Sequence, residues 1–84
     1  MTWRVILQGS YAAWEERDHP DEDRRIAVLE WLADLVETGP PDDSLPVPFQ
    51  PDLYVCRAPA ADVLVSFLAV TYEQLIIVKE IISL

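Results

Sequence analysis

The chain has 84 residues, 51% of them hydrophobic, and its 15 acidic residues against 6 basic ones give a net charge of −9. This length fits one domain, residues 1–84, and the hydrophobic content argues against disorder. Because phosphate groups are bound through Lys and Arg, the charge predicts weak affinity for nucleic acids and anionic membranes. Cys56 is the single cysteine, which excludes an internal disulfide. No signal peptide or membrane span is recognised, so a cytoplasmic protein is expected.

The chain opens with a predicted strand and a short helix. The strand "WRVILQ" alternates an apolar set with a mixed set, namely Trp3, Val5 and Leu7 against Arg4, Ile6 and Gln8. This alternation is typical of a strand with one buried face. Ser10, after Gly9, is a suitable cap for a helix through "YAAWEER", in which Tyr11 and Trp14 share a face.

The stretch "DHPDEDRRIAVLEWLADLVETG" predicts a second, longer helix. Asp18 or His19 is the expected N-cap, with Pro20 in the first turn, where its missing N–H costs nothing. The apolar stripe at helical spacing comprises Val28, Leu29, Leu32, Leu35 and Val36. Gly39 is expected to end the helix, since the two prolines that follow prevent its continuation.

The second half of the chain predicts a loop and three strands. The segment 40–51 holds five of the seven prolines and is expected to be a loop. The strands are "LYVCR", "VLVSFLAV" and "LIIVKEIIS", and a tight turn near "TYEQ" joins the last two. The predicted order is strand, helix, helix, strand, strand, strand. This order indicates a two-layer α+β domain with both helices on one face of a mainly antiparallel sheet.

This order of elements, at this length, resembles the RelE/ParE toxin superfamily of bacterial toxin–antitoxin systems. The segments that carry the resemblance are "WRVILQGSYAAWEER", "DEDRRIAVLEWLADLVETGP" and "LYVCR" with the hairpin after it. The resemblance implies a toxin component, bound by an antitoxin-like protein, that either cleaves messenger RNA on the ribosome or blocks a protein target such as DNA gyrase.

The catalytic residues that the resemblance implies are largely missing. RNA cleavage needs an acid, a base and cations that stabilise the phosphorane charge. Arg57 is the one candidate catalytic residue, because it occupies the position of the family's first strand arginine. Asp62 lies where a second arginine is expected, and Val65 lies near the position of a tyrosine. The lysines expected before "LYVCR" are absent, so weak or no ribonuclease activity is predicted.

Other chemistry-bearing side chains have simpler interpretations. His19 is expected to be an exposed neighbour of a helix cap, Lys79 to extend from a sheet edge, and Cys56 to be a small buried hydrophobe. One His and one Cys far apart offer no metal site, and no glycine-rich phosphate loop is present. No metal or cofactor is therefore expected.

The terminal hairpin carries the main functional prediction. A sheet with one face in water alternates apolar and polar residues, but both alternating sets here are largely apolar. Either this chain covers both faces, or a partner covers one, and two helices favour a partner. The candidate partner-binding residues, of which only one face applies, are Leu64, Leu68, Val65, Phe67, Ile76 and Val78.

Two functions therefore remain open. The first is a RelE/ParE-like toxin component that acts through protein contacts, and the second is a non-catalytic interaction module or assembly subunit on the same fold. The expected partner is an antitoxin-like protein or a second copy of the chain.

Overall fold

The computed structural model describes residues 2–84, which form two helices and five strands. In chain order these are β1 (Arg4–Ile6), α1 (Ser10–Asp18), α2 (Glu22–Thr38), β2 (Leu45–Pro46), β3 (Leu53–Ala58), β4 (Val63–Val70) and β5 (Leu75–Ser83). The helices pack against one face of the sheet, and the predicted two-layer α+β fold is confirmed.

The sheet has the spatial order β1-β5-β4-β3-β2. β1 runs parallel to β5, and every other pair of neighbours is antiparallel. One row of paired residues crosses four strands, from Leu53 to Leu68 to Ile77 to Ile6. The register between β4 and β5 shifts once, where Ser66 pairs with Glu80 and Phe67 pairs with Val78, so Lys79 forms a β-bulge.

The start of α1 differs from the prediction. Gly9 occupies the N-cap position with φ 76°, and Ser10 is already the first helical residue. The hydroxyl of Ser10 donates instead to the carbonyl of Leu7 at 2.5 Å. The reason is that the tight exit from β1 needs a left-handed residue, which glycine adopts without steric cost. The predicted shared face is confirmed, since the Tyr11 and Trp14 rings lie 5.6 Å apart, edge to face.

The N-cap of α2 is Asp21 rather than Asp18 or His19. Its carboxylate accepts a hydrogen bond from the backbone N–H of Arg24 at 2.8 Å. His19 instead ends α1 in the left-handed region, with φ 47°. Asp18 is engaged elsewhere, because its carboxylate accepts from the backbone N–H of Ser83 at 3.3 Å.

The C-terminus of α2 ends at Gly39, as predicted. The Gly39 N–H donates to the Leu35 carbonyl at 2.8 Å, with φ 76°. The Trp3 ring packs directly against this glycine, and a Cβ at position 39 would lie 2.5 Å from Trp3 Nε1. Close packing and backbone conformation therefore both require glycine here.

The segment predicted to be a loop contains the short strand β2. Leu45 pairs with Val55, and Pro46 pairs with Tyr54. Proline is compatible with this position because β2 is an edge strand, where a missing N–H leaves no partner unsatisfied. The predicted turn between β4 and β5 is a single 3-10 turn, Thr71–Glu73.

The hydrophobic core lies between the helices and the sheet. The fully buried side chains of the helices are Trp14, Val28 and Leu35, with Leu32 nearly so. From the sheet, the buried set comprises Cys56, Ala58, Val63, Val65, Phe67, Ala69, Ile76, Val78 and Ile81. Leu29, which the helical spacing placed in the apolar stripe, is 47% exposed at the outer margin of α2.

Candidate partner-binding face

One face of the sheet is packed under the helices, and the opposite face has no layer over it in the part of the chain that the structure describes. β4 shows the contrast best. Its residues alternate strictly between fully buried and half-buried from Val63 to Val70. The buried set points into the core, so the half-buried set points to the other side.

We call this uncovered side the open face. Its apolar members come from all five strands and are Ile6, Leu45, Leu53, Val55, Leu64, Leu68, Val70, Leu75, Ile77 and Ile82. Ile6 is 42% exposed and Ile82 is 39% exposed. Directly paired residues on one face have Cβ atoms roughly 4.5–5.5 Å apart, so the row from Leu53 through Leu68 and Ile77 to Ile6 forms one apolar surface with the neighbouring pair Val70 and Leu75. The paired Ser66 and Glu80 separate this surface from Leu64 and Ile82. The apolar side chains shield one another partly, which explains why most are half-buried rather than exposed.

The structure divides the six predicted partner-binding residues between the two faces. Val65, Phe67, Ile76 and Val78 are completely buried under the helices and are unavailable to a partner. Leu64 and Leu68 lie on the open face. Periodicity alone grouped them, since both alternating sets are apolar, and the position of the helices now separates them.

A polar margin surrounds the open face. Arg4 pairs with Leu75 and Arg57 pairs with Leu64, so both arginines lie on this side of the sheet. Lys79 is exposed at the bulge, and its amine donates to Gln8 Oε1 at 3.3 Å. The one acid within the face is Glu80, opposite the hydroxyl of Ser66. An apolar centre with a charged rim is the usual arrangement of a protein–protein interface.

Charge is distributed unevenly over the molecule. The open face and its margin hold Arg4, Arg57 and Lys79 together with Asp62 and Glu80. Subtracting these from the 6 basic and 15 acidic residues leaves three against thirteen, a net charge of −10 on the rest of the chain. The open face is therefore slightly positive, whereas the helices and loops are strongly negative.

Arg57 is held by an ion pair. Its Nη2 atom lies 2.8 Å from the Asp62 carboxylate, and both side chains are well exposed. The residue that replaces the family's expected second arginine thus neutralises the first. Arg57 lies in β3, whereas His19 follows α1, so the fold gives this arginine no histidine on a neighbouring strand. Arg57 therefore has an acid as its ion-pair partner, and no second cation is paired beside it on β4 to share the charge of a phosphate.

Cys56 is buried, with 3% of its surface exposed. Its thiol donates to Asp43 Oδ1 at 3.5 Å. Burial, and then the nearby Asp43 carboxylate, raise the pKa of the Cys56 thiol. A thiol that stays protonated and inaccessible is a poor nucleophile, so the structure places Cys56 in the core rather than in a reactive site.

Two aromatic side chains that sequence reasoning did not single out as functional are the most exposed large hydrophobic residues described. Phe49 is 100% exposed in the turn between β2 and β3, and Tyr72 is 89% exposed in the turn between β4 and β5. The available signal for Phe49 was its position between Pro48 and Pro51, which fixes the turn around it.

Neither a pocket nor a cluster of metal ligands is found among residues 2–84. Across residues 2–84 there is no cavity suited to a small molecule, and no three His, Cys, Asp or Glu side chains converge as metal ligands. Neither described helix combines the length and apolar character needed to cross a membrane.

Comparison with known proteins adds no relative. No family model matches the chain, and neither a curated protein nor a solved structure matches it significantly. The resemblance to RelE/ParE toxins therefore depends on the quoted sequence segments and on the order of elements alone.

Proposed function

We propose that this protein acts by binding another polypeptide through its open face and does not act as an enzyme. The observation that carries this proposal is the largely aliphatic surface on the side of the sheet opposite the helices. Ten aliphatic residues from five strands contribute to it, and nothing in residues 2–84 covers them. Fully burying one such side chain is worth roughly 1.5–3 kcal/mol, so a partner that covers several gains substantial binding energy.

The particular form that we propose is a RelE/ParE-like component of a bacterial toxin–antitoxin system, located in the cytoplasm. The β-α-α-β-β-β order of the main elements supports it. An antitoxin-like chain or a second copy would then cover the open face. The alternative, an assembly subunit without toxin activity, is supported by the ion pair that occupies Arg57. Both forms use the same face.

The binding surface is tested by sedimentation velocity on the wild type, Leu68→Asp and Leu29→Asp. Leu68 is half-buried on the open face, whereas Leu29 is 47% exposed on the helix layer. The proposal expects only Leu68→Asp to abolish self-association or binding of an antitoxin-like chain. Equal behaviour of the two variants, with both still folded by circular dichroism, would refute it.

The absence of catalysis is tested in a translation extract. We expect no codon-dependent cleavage of messenger RNA by the wild type, because Asp62, at 2.8 Å, neutralises the Arg57 guanidinium that would have to stabilise the phosphorane charge. The control is Arg57→Ala, which should give the same transcript pattern as the wild type. Cleavage that disappears in Arg57→Ala would show that the protein is a ribonuclease.

A further inference from the structure

The two exposed aromatic residues project from the same end of the sheet. Phe49 belongs to the turn that enters β3, and Tyr72 belongs to the turn that leaves β4. These strands are antiparallel neighbours, so the start of β3 lies beside the end of β4. The backbone N–H of Ala69 donates to the carbonyl of Asp52 at 2.9 Å. This hydrogen bond joins the two strands at the point where the turns begin. We call this part of the molecule, residues 47–52 and 71–74, the turn end.

The first turn displays Phe49 in a defined and unfavourable conformation. Phe49 has φ 63°, in the left-handed region that bulky residues rarely adopt. Backbone hydrogen bonds from Val47 N–H to Leu53 O at 2.9 Å and from Gln50 N–H to Val47 O at 3.2 Å hold the turn closed. The proline on either side of the Phe-Gln pair removes further freedom. A strained backbone that presents a fully exposed aromatic ring points to a functional reason for the conformation.

The turn end is also acidic. Asp52 and Glu73 lie beside the aromatic residues and are exposed, and no basic residue lies within the two turns. A partner for this end needs an apolar surface for the aromatic rings and basic groups at its margin. The open face has both, since Arg4 and Lys79 border its aliphatic residues, whereas Arg57 is already paired with Asp62.

We infer that the partner of the open face is a second copy of this chain, which contributes its turn end. This inference rests on the proposed function of the open face and names its occupant. Phe49 and Tyr72 of one copy cover aliphatic side chains around Leu68 on the other, and Asp52 and Glu73 meet the basic margin. The contact is heterologous, because two different surfaces meet. An associated pair therefore keeps one free open face and one free turn end, and further copies can add to both.

A symmetric contact between two open faces explains less of the surface. It would cover the aliphatic residues but leave Phe49 and Tyr72 in water, and aromatic anchors usually dominate the energetics of interfaces. The heterologous contact buries both apolar surfaces and brings opposite charges together.

The test uses two variants that each disable one surface. Phe49→Asn with Tyr72→Gln removes both aromatic rings, and Asn tolerates the left-handed backbone at position 49. Leu68→Asp disables the open face, and Ile6→Asp, which lies in the same row of paired residues and is 42% exposed, replaces it if the first variant does not fold. The matched control is Leu29→Asp on the helix layer.

We expect the wild type and the control to form oligomers that grow with concentration in sedimentation equilibrium. Each disabled variant alone should be monomeric, with the dissociation constant raised at least about tenfold. Their equimolar mixture should form a dimer, of twice the 9.6 kDa chain mass, and nothing larger. In that dimer the intact turn end of the Leu68→Asp chain occupies the intact open face of the other chain.

Three results would overturn the inference. A wild type that stays monomeric at about 1 mM excludes a second copy as the partner, although a different polypeptide could still bind the open face. Association that survives loss of both aromatic rings but not Leu68→Asp indicates a symmetric contact, and the proposed function then stands without the turn end. A mixture that stays monomeric shows that the two surfaces do not meet.

Discussion

The two faces of the sheet have nearly the same composition and different surroundings. In β4, Val63, Val65 and Phe67 are completely buried beneath the helices, whereas Leu64 and Leu68 between them are half-buried with no layer above. Adjacent residues of a single strand thus have different surroundings. The first set stabilises the monomer, whereas the second is the surface that we propose binds another polypeptide.

The sharpest way to break this comparison is to place the same charge on each face of β4. Phe67→Asp removes a fully buried ring and puts a carboxylate in the core, at a cost of at least about 5 kcal/mol. That cost matches or exceeds the stability of many domains, so this variant should be unfolded by circular dichroism. Leu68→Asp should keep its native spectrum. If both variants unfold, or neither does, the two faces are not distinct in the way described.

The covering layer depends on the end of α2, which Gly39→Ala tests. A Cβ at this position would lie 2.5 Å from Trp3 Nε1, and φ 76° is unfavourable for alanine. We expect a loss of about 1–3 kcal/mol in urea unfolding. The control is Gly9→Ala, which has the same φ but nothing within 4 Å of the added Cβ. Gly9→Ala should lose only the free energy of unfolding that the unfavourable φ costs. Equal losses in the two variants would mean that Trp3 does not pack against Gly39.

A smaller effect is expected at the start of the same helix. Asp21→Ala removes the side chain that accepts from the Arg24 N–H at 2.8 Å, which should cost about 1 kcal/mol. The matched control is Asp23→Ala, which removes an exposed acid in the first turn that caps nothing. Its expected loss is a few tenths of a kcal/mol. Thermal unfolding of the two variants distinguishes the loss of the capping hydrogen bond from the effect of removing a negative charge near the helix N-terminus. A larger loss in Asp23→Ala would contradict the assignment of the cap.

The contact between α1 and β5 should depend on pH. Hydrogen bonds from Arg17, and then from Ser83, lower the pKa of Asp18 from 3.8 to about 2. A lowered pKa means that the ionised group stabilises the fold fully above about 3.8 and loses this effect as the pH falls through 2. The urea midpoint of the wild type should therefore exceed that of Asp18→Asn at pH 6, and the two should converge near pH 2. A difference that persists at pH 2 would assign the stabilisation to another group.

Local patterns predicted the elements well, because their causes lie within a few residues. The alternation from Trp3 to Leu7 and the end of α2 at Gly39 are examples. Asp18, one of the two residues predicted to cap α2, is instead the last residue of α1, and its carboxylate binds Ser83, 65 residues away along the chain. Sequence could not assign the faces of β4 either, because both alternating sets are aliphatic and only the packed helices distinguish them. The exposure of Phe49 follows from the closed turn around it, which no periodicity signals.

Methyl accessibility measures most directly whether a polypeptide covers the open face. In dilute protein, a paramagnetic co-solute should broaden the NMR signals of the Leu68 and Ile77 methyl groups and spare those of Ile76, which is fully buried. At high concentration, or with a bound partner, the Leu68 and Ile77 signals should become protected, while those of Leu29 on the helix layer stay broadened. If the methyl groups of Leu68 and Ile77 remain as accessible as those of Leu29 both at high concentration and with a bound partner, the open face is not a binding surface.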